Sequence, residues 1–217
     1  SISDFIKLNE GIDLERFADK YKDVDLIIYA GGISPMLEGE EGDAGGLEGF
    51  VGGDRTTINL PSIQTEVMKK LNLLGKPMIF ICMSGGAMAF NWEAENLPVI
   101  IQAWYGGQAT GTALADILFG RYNPSGKLPV TFYHSDTDIP SIEDYSMANR
   151  TYRYFDKDVL YPFGYGLSYT SFKYNKLLCP VEAQIGDTLS VKVEVSNTGR
   201  CAGEEVIQLY LSHKAIA

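Results

Sequence analysis

An α/β fold, a mostly parallel sheet sandwiched by helices and followed by a partial β-sandwich segment, is predicted by two features of this 217-residue sequence. Up to residue 120, short continuous apolar runs alternate with segments of helical spacing, the signature of a parallel sheet covered by helices. From about residue 175 the runs become strictly alternating, which is the pattern of half-buried antiparallel strands.

The elements follow in order. DLERFADKYK (13–22) sets Leu14, Phe17, Ala18 and Tyr21 on one face and reads as a helix. Asp25–Ala30 is a continuous apolar run that fits a buried parallel strand. Residues 31–60 are Gly-rich, acidic and without periodicity, and loops of that length inside a domain are usually functional or disordered. Pro61 opens a helix at the first helical position, with Ile63, Val67, Met68 and Leu71 inward. Gly75-Lys76-Pro77 ends it, Met78–Met83 is a second buried strand, and a short helix leads to a third strand over Pro98–Trp104. Thr110–Phe119 is a helix closed by Gly120, and SGKLPVTFY (125–133) reads as a strand with Pro129 at an edge or strand start. Farther on, 187–197 and 204–212 read as an antiparallel pair joined by a turn at Asn197 and Gly199. Right-handed crossovers place the loops after the parallel strands along one edge, where open α/β sheets bind ligands, and the loop 31–60 leaves the first strand there.

Composition narrows the function. Twenty-eight acidic against 18 basic residues give a formal charge of −10, which leaves no basic stripe for nucleic-acid phosphates. No apolar run is long enough to span a bilayer. The first residues, SISDFIKLNEG, carry no signal-peptide pattern and read as the interior of a protein. Cys82, Cys179 and Cys201 are far apart, so neither a zinc site nor a disulfide framework is expected; Cys82 reads as a small buried hydrophobe.

Chemistry concentrates in LEGEEGDAGG (37–46), where Glu38, Glu40, Glu41 and Asp43 crowd together. Like charges resist joint ionisation, and a raised carboxyl pKa suits a general acid. The bland alternative is a solvated acidic loop; a calcium site lacks the D-x-D-x-D-G register. Asp54 and Arg55 are expected to pair and fix the loop where it returns to the sheet. AGGISP and MSGGAM follow strands but form no phosphate-binding motif. Ser84 lacks the G-x-S-x-G elbow, and His134 and His213 stand in unrelated contexts, so a serine triad is not expected. The sequence calls for no metal and no cofactor.

The succession AGGISPMLEGEE, GFVGGDRTTINLPSIQ, GKPMIFICMSGGAMAFNW, VIIQAWYGGQATGTALADILFGRYNPSGKLPVTFY, DYSMANRTYRYF and LYPFGYGLSYTSFKY resembles, in order, the C-terminal part of family 3 glycoside hydrolases, on the β-xylosidase and β-glucosidase branch. The resemblance implies an α/β sandwich domain over 1–175 and the beginning of a fibronectin type III-like domain over 176–217. It also implies a retaining hydrolysis, with two carboxylates about 5 Å apart. In that family an N-terminal (β/α)8 barrel carries the aspartate nucleophile and this domain lends the acid/base glutamate. The motif places that role on Glu40, with Glu38 and Glu41 as alternatives, and sets Met36 and Leu37 at the sugar. Asp54-Arg55 corresponds to the D-R of the family's E-G-x-D-R motif, separated here by residues 41–53. No nucleophile is expected in this chain. The expected partners are an oligosaccharide or aryl glycoside and the barrel, and by analogy the compartment is periplasmic or extracellular. Tyr152 and Tyr154 read as packing aromatics, with sugar stacking the lesser alternative. A non-catalytic carbohydrate-binding or interaction module of the same fold is the competing reading.

Overall fold

The computed structural model describes residues 19–38, 48–52 and 54–212. They fall into two compact units, one formed by 1–110 and 129–163, the other by 111–128 and 164–217.

The first unit holds a three-stranded parallel sheet of β1 (Ile27–Gly32), β4 (Met78–Met83) and β5 (Val99–Gln102), in the order β1-β4-β5. Ile27 pairs with Met78 and Gly32 with Met83, while Ile79 pairs with Val99 and Cys82 with Gln102. The middle strand, MIFICM, is the one whose continuous apolar run is matched by burial on both faces. β1 has the same kind of run but, among the described residues, lies at the edge, and its Ile28 is 51% exposed. The predicted third strand is shortened at both ends. Pro98 offers no N–H, and Trp104 takes a left-handed backbone (φ 54°) that ends the extended run.

The crossover from β1 to β4 runs through the acidic loop and α1 (Ser62–Asn72). Pro61 is the extended residue before the helix rather than its first helical residue. Gln64, not Ile63, joins Val67, Met68 and Leu71 on the buried face. Within the loop, β2 (Phe50–Val51) and β3 (Asp54–Arg55) form a hairpin that Gly-rich composition did not predict. Residues 58–60 then align with Ala89, which donates to Ile58 O at 2.8 Å and accepts from Leu60 N at 3.0 Å. Asp136 fixes the same return: its carboxylate accepts from Ile58 N (2.7 Å) and Thr57 Oγ1 (2.6 Å). α2 (Asn91–Asn96) precedes β5. The core between these elements is aromatic: Phe90 meets Phe80 and Phe132 edge-on, with centroids 6.0 and 5.9 Å apart.

The predicted strand over 125–133 does not form. Phe132 and Tyr161 exchange backbone hydrogen bonds, and Leu128 bonds with Gly164 and Tyr165, but no continuous ladder links these pairs. Pro129 and Pro162 each remove a donor from it. The predicted helix 13–22 lies mostly outside the described residues.

The second unit contains α3 (Thr110–Leu118) from Gly111 onward, and an antiparallel pair of β6 (Phe172–Leu178) with β7 (Lys192–Asn197). Residues 204–212 were the expected partner of the 187–197 strand; β6 takes that place instead. The chain after β7 is captured by side chains. Thr198 N donates to Ser171 O, Asn123 Nδ2 to Ala202 O, and Tyr122 and Ser125 both donate to Glu204. Lys127 pairs with Glu205 at 3.4 Å. These ties hold 198–205 along Ser171 and residues 122–127, away from the hairpin geometry that the alternation predicted. Cys179 and Cys201 are exposed free thiols, and Cys82 is buried.

Candidate active site

The loops that leave the carboxyl ends of β1, β4 and β5 converge on one side chain, Glu38. After β1 the backbone turns at Ser34-Pro35, with Leu37 N and Glu38 N both donating to Ser34 O. The Glu38 carboxylate then lies against the turn after β4, where Oε2 accepts from Gly85 N at 3.2 Å. From the segment after β5, Tyr105 donates its hydroxyl to the same Oε2. Arg55, at the end of the hairpin, meets Oε1 at 3.5 Å and also donates to Ala87 O at 3.3 and 3.4 Å. Arg55 and Glu38 are 16% and 19% exposed, so the pair is partly desolvated.

The glycines here have a steric reason. A Cβ on Gly85 would lie 2.8 Å from the Glu38 carboxylate and 2.9 Å from the Tyr105 ring. Gly32 has φ +109°, and a Cβ there would run into the Met83 backbone. Its own N–H and C=O are both taken by the buried Gln64 side chain, at 2.8 and 2.6 Å. Ser84 is buried, donates to Gly86 O at 2.7 Å and accepts from Gln102 Nε2 at 3.0 Å. It therefore shapes the turn. Burial pushes the Tyr105 phenol above its usual range, and the hydrogen bond to Glu38 and that carboxylate's charge add to the effect. Tyr105 is thus a neutral donor at physiological pH.

Residues 7–169 match the Glycosyl hydrolase family 3 C-terminal domain. The chain belongs to this family. A xylan 1,4-β-xylosidase of Xylanibacter ruminicola is 51% identical over 201 residues, covering 92% of this chain and 23% of the relative. A β-glucosidase of Bacteroides ovatus is 34% identical over 211 residues, covering 89% of this chain and 27% of its own length. A β-glucosidase from Erythrobacter marinus has a solved structure that superimposes with a TM-score of 0.70 at 36% identity, over 88% of this chain and 25% of that one. The chain spans about a quarter of the length of these relatives.

In this family 3 domain the site residues expected from sequence are distributed as follows. Glu40 and Glu41 lie outside the described residues. Glu38 is at the convergence of the three loops. Met36 is 89% exposed and Leu37 is buried. Arg55 pairs with Glu38 and not with its neighbour Asp54, which is exposed at the hairpin. Tyr105 and Gly85 enter the site without having been singled out. They stand 67 and 47 residues from Glu38, so no local spacing joins them to it. Tyr152 is stacked on Phe163 at 4.4 Å with Arg153 over its ring, so packing accounts for it. Among the described residues, no acidic, histidine or cysteine cluster is suited to a metal ion, and no helix is long and apolar enough to cross a membrane.

Proposed function

We propose that this chain supplies the acid/base glutamate of a retaining, exo-acting β-glycosidase that hydrolyses β-xylosides or β-glucosides. One observation carries the reading: Glu38 and Arg55, the residues that bracket the acidic loop, are joined in one ion pair over the carboxyl edge of the sheet. The loop that carries LEGEE is thereby held by both ends at the ligand-binding edge of an α/β sheet. Glu38 has donors on both oxygens and serves as the loop's anchor. Glu40, two residues on, is the proton donor, with Glu41 the alternative. The 1–175 and 176–217 segments are the sandwich domain and the start of the fibronectin type III-like domain. The nucleophile is an aspartate on a (β/α)8 barrel of the full-length protein, a reading supported by relatives about four times as long.

In the first step Glu40 gives its proton to the glycosidic oxygen as the bond to C1 breaks, and the aspartate carboxylate bonds to C1. In the second, Glu40 as carboxylate takes a proton from water. The water oxygen bonds to C1, and the aspartate is released. In the full-length protein, Glu40→Ala should slow hydrolysis of substrates with poor leaving groups most, and azide, which attacks the glycosyl-enzyme without a general base, should restore turnover of an activated aryl glycoside. An unchanged rate would sink the assignment. The 217-residue chain alone should leave nitrophenyl xyloside and glucoside intact, and measurable turnover by the pure chain would contradict the two-domain reading.

A further inference from the structure

We propose that Tyr105 is a positioning residue for this reaction: its hydroxyl, donated to Glu38, sets the exit of the loop that presents the acid/base glutamate. The proposal rests on the reading that the loop carries that glutamate. Four features support it. Glu38 follows the turn after β1 and Arg55 ends the hairpin that returns toward the sheet, and their ion pair ties these two points of the chain together at the Glu38 carboxylate. Tyr105 and Gly85 come from segments after β5 and β4, so they tie this point to the ends of two further strands. The donor is itself fixed. Trp104 holds the chain in a left-handed turn and packs edge-on against the buried Phe132, with centroids 6.1 Å apart. Such a strained backbone persists only where its surroundings over-determine it. Finally, the Gly85 backbone leaves room for both the Glu38 carboxylate and the Tyr105 ring, where a Cβ would meet each inside 3 Å.

The consequence is geometric. Only Gly39 separates Glu38 from Glu40, so their Cα atoms are at most about 7 Å apart. Slack at Glu38 passes directly to the proton donor, and a misplacement of about 1 Å costs on the order of 100-fold in rate. Tyr105→Phe keeps the ring and removes only the donor. In the full-length protein it should lower kcat/KM for an alkyl glycoside about 10- to 100-fold. The kcat/KM for a 2,4-dinitrophenyl glycoside should change by less than about two-fold, because kcat/KM reports only the first step and that leaving group departs without a proton from Glu40. Glu38→Ala, which removes the acceptor of Tyr105 and the partner of Arg55 together, should produce at least that selective loss, and the double variant should lose no more than Glu38→Ala alone.

Equal losses on the two substrates, no loss on either, or additive losses in the double variant would each overturn the positioning role. Failure of the underlying reading looks different: Glu40→Ala would then show no dependence on the leaving group. An unchanged melting temperature of Tyr105→Phe separates positioning from a loss of fold; a drop in the melting temperature that matches the activity loss would argue against the proposal.

Discussion

β4 and β6 are strands of similar length with opposite fates. All of β4 is sheltered, and it has a partner strand on each side. Among the described residues β6 has one partner, and every residue of the strand after Phe172 is exposed. The difference lies in where each strand's stability originates. β4 is held by burial of its own side chains, so its apolar run is a sufficient instruction. β6 is held by one ladder and by side-chain ties from residues outside the strand, such as Tyr174 to Glu205 and Asn175 to Ser196. Two-stranded ladders are marginal without a covering face.

The widest gap between the two regions should appear in thiol chemistry. Burial pushes the Cys82 thiol up to about 12, whereas Cys179 and Cys201 are exposed. At pH 8 a disulfide reagent should therefore label two thiols quickly, and the third only on unfolding, more slowly by orders of magnitude. Rapid labelling of all three would break the comparison. The same shift gives a pH dependence. The thiol's pKa is higher folded than unfolded, so its contribution is intact below 9.0 and declines as pH rises from there toward 12. Denaturant titrations at pH 8 and pH 10 should show the fall.

Truncation gives the next contrast. Phe80→Ala in β4 should cost about 3–5 kcal/mol by chemical denaturation, because a fully buried ring is lost from an aromatic cluster. Leu177 in β6 is 63% exposed, and Leu177→Ala should stay within about 0.5 kcal/mol. Gln64→Leu lies between them. It strands the N–H and C=O of Gly32 in a buried site and should cost about 1–3 kcal/mol. A cost near zero for Gln64→Leu would mean that packing, not the amide, holds the end of β1.

The contrast also explains which features could be read from the sequence. Met78–Met83 was predicted with its observed bounds, and Thr110–Leu118 to within a residue, because each depends on its own apolar pattern. The strands β2 and β3 are two residues each, too short to carry any periodicity. Alternation alone does not select the antiparallel partner of β7, because 204–212 alternates as well as 172–178 does, yet β6 is the strand that pairs. The choice between them was made by Thr170, Ser171 and Asn123, whose hydrogen bonds to residues 197–202 are tertiary. At the site, the acidic loop was visible as charge crowding and as motif. Arg55 was expected to reach its neighbour Asp54, but the ladder from Phe50 to Arg55 aims the guanidinium at a carboxylate 17 residues back. Tyr105 had no local signal at all, since its role exists only once three strand ends are brought side by side.

Gln64 has a further consequence for the protein in a crowded solution. In a parallel ladder, alternate residues direct their backbone groups to opposite neighbours. Ile33 N donates to Met83 O, so the N–H and C=O of Gly32 face away from β4, along the outer edge of the sheet. Such an edge is a template for a passing strand of another molecule. The primary amide of Gln64 has the same donor and acceptor as a peptide group, and it occupies that position from a helix of the same chain. A single glutamine thus acts there as a one-residue counterfeit strand, so the end of β1 offers nothing to add to.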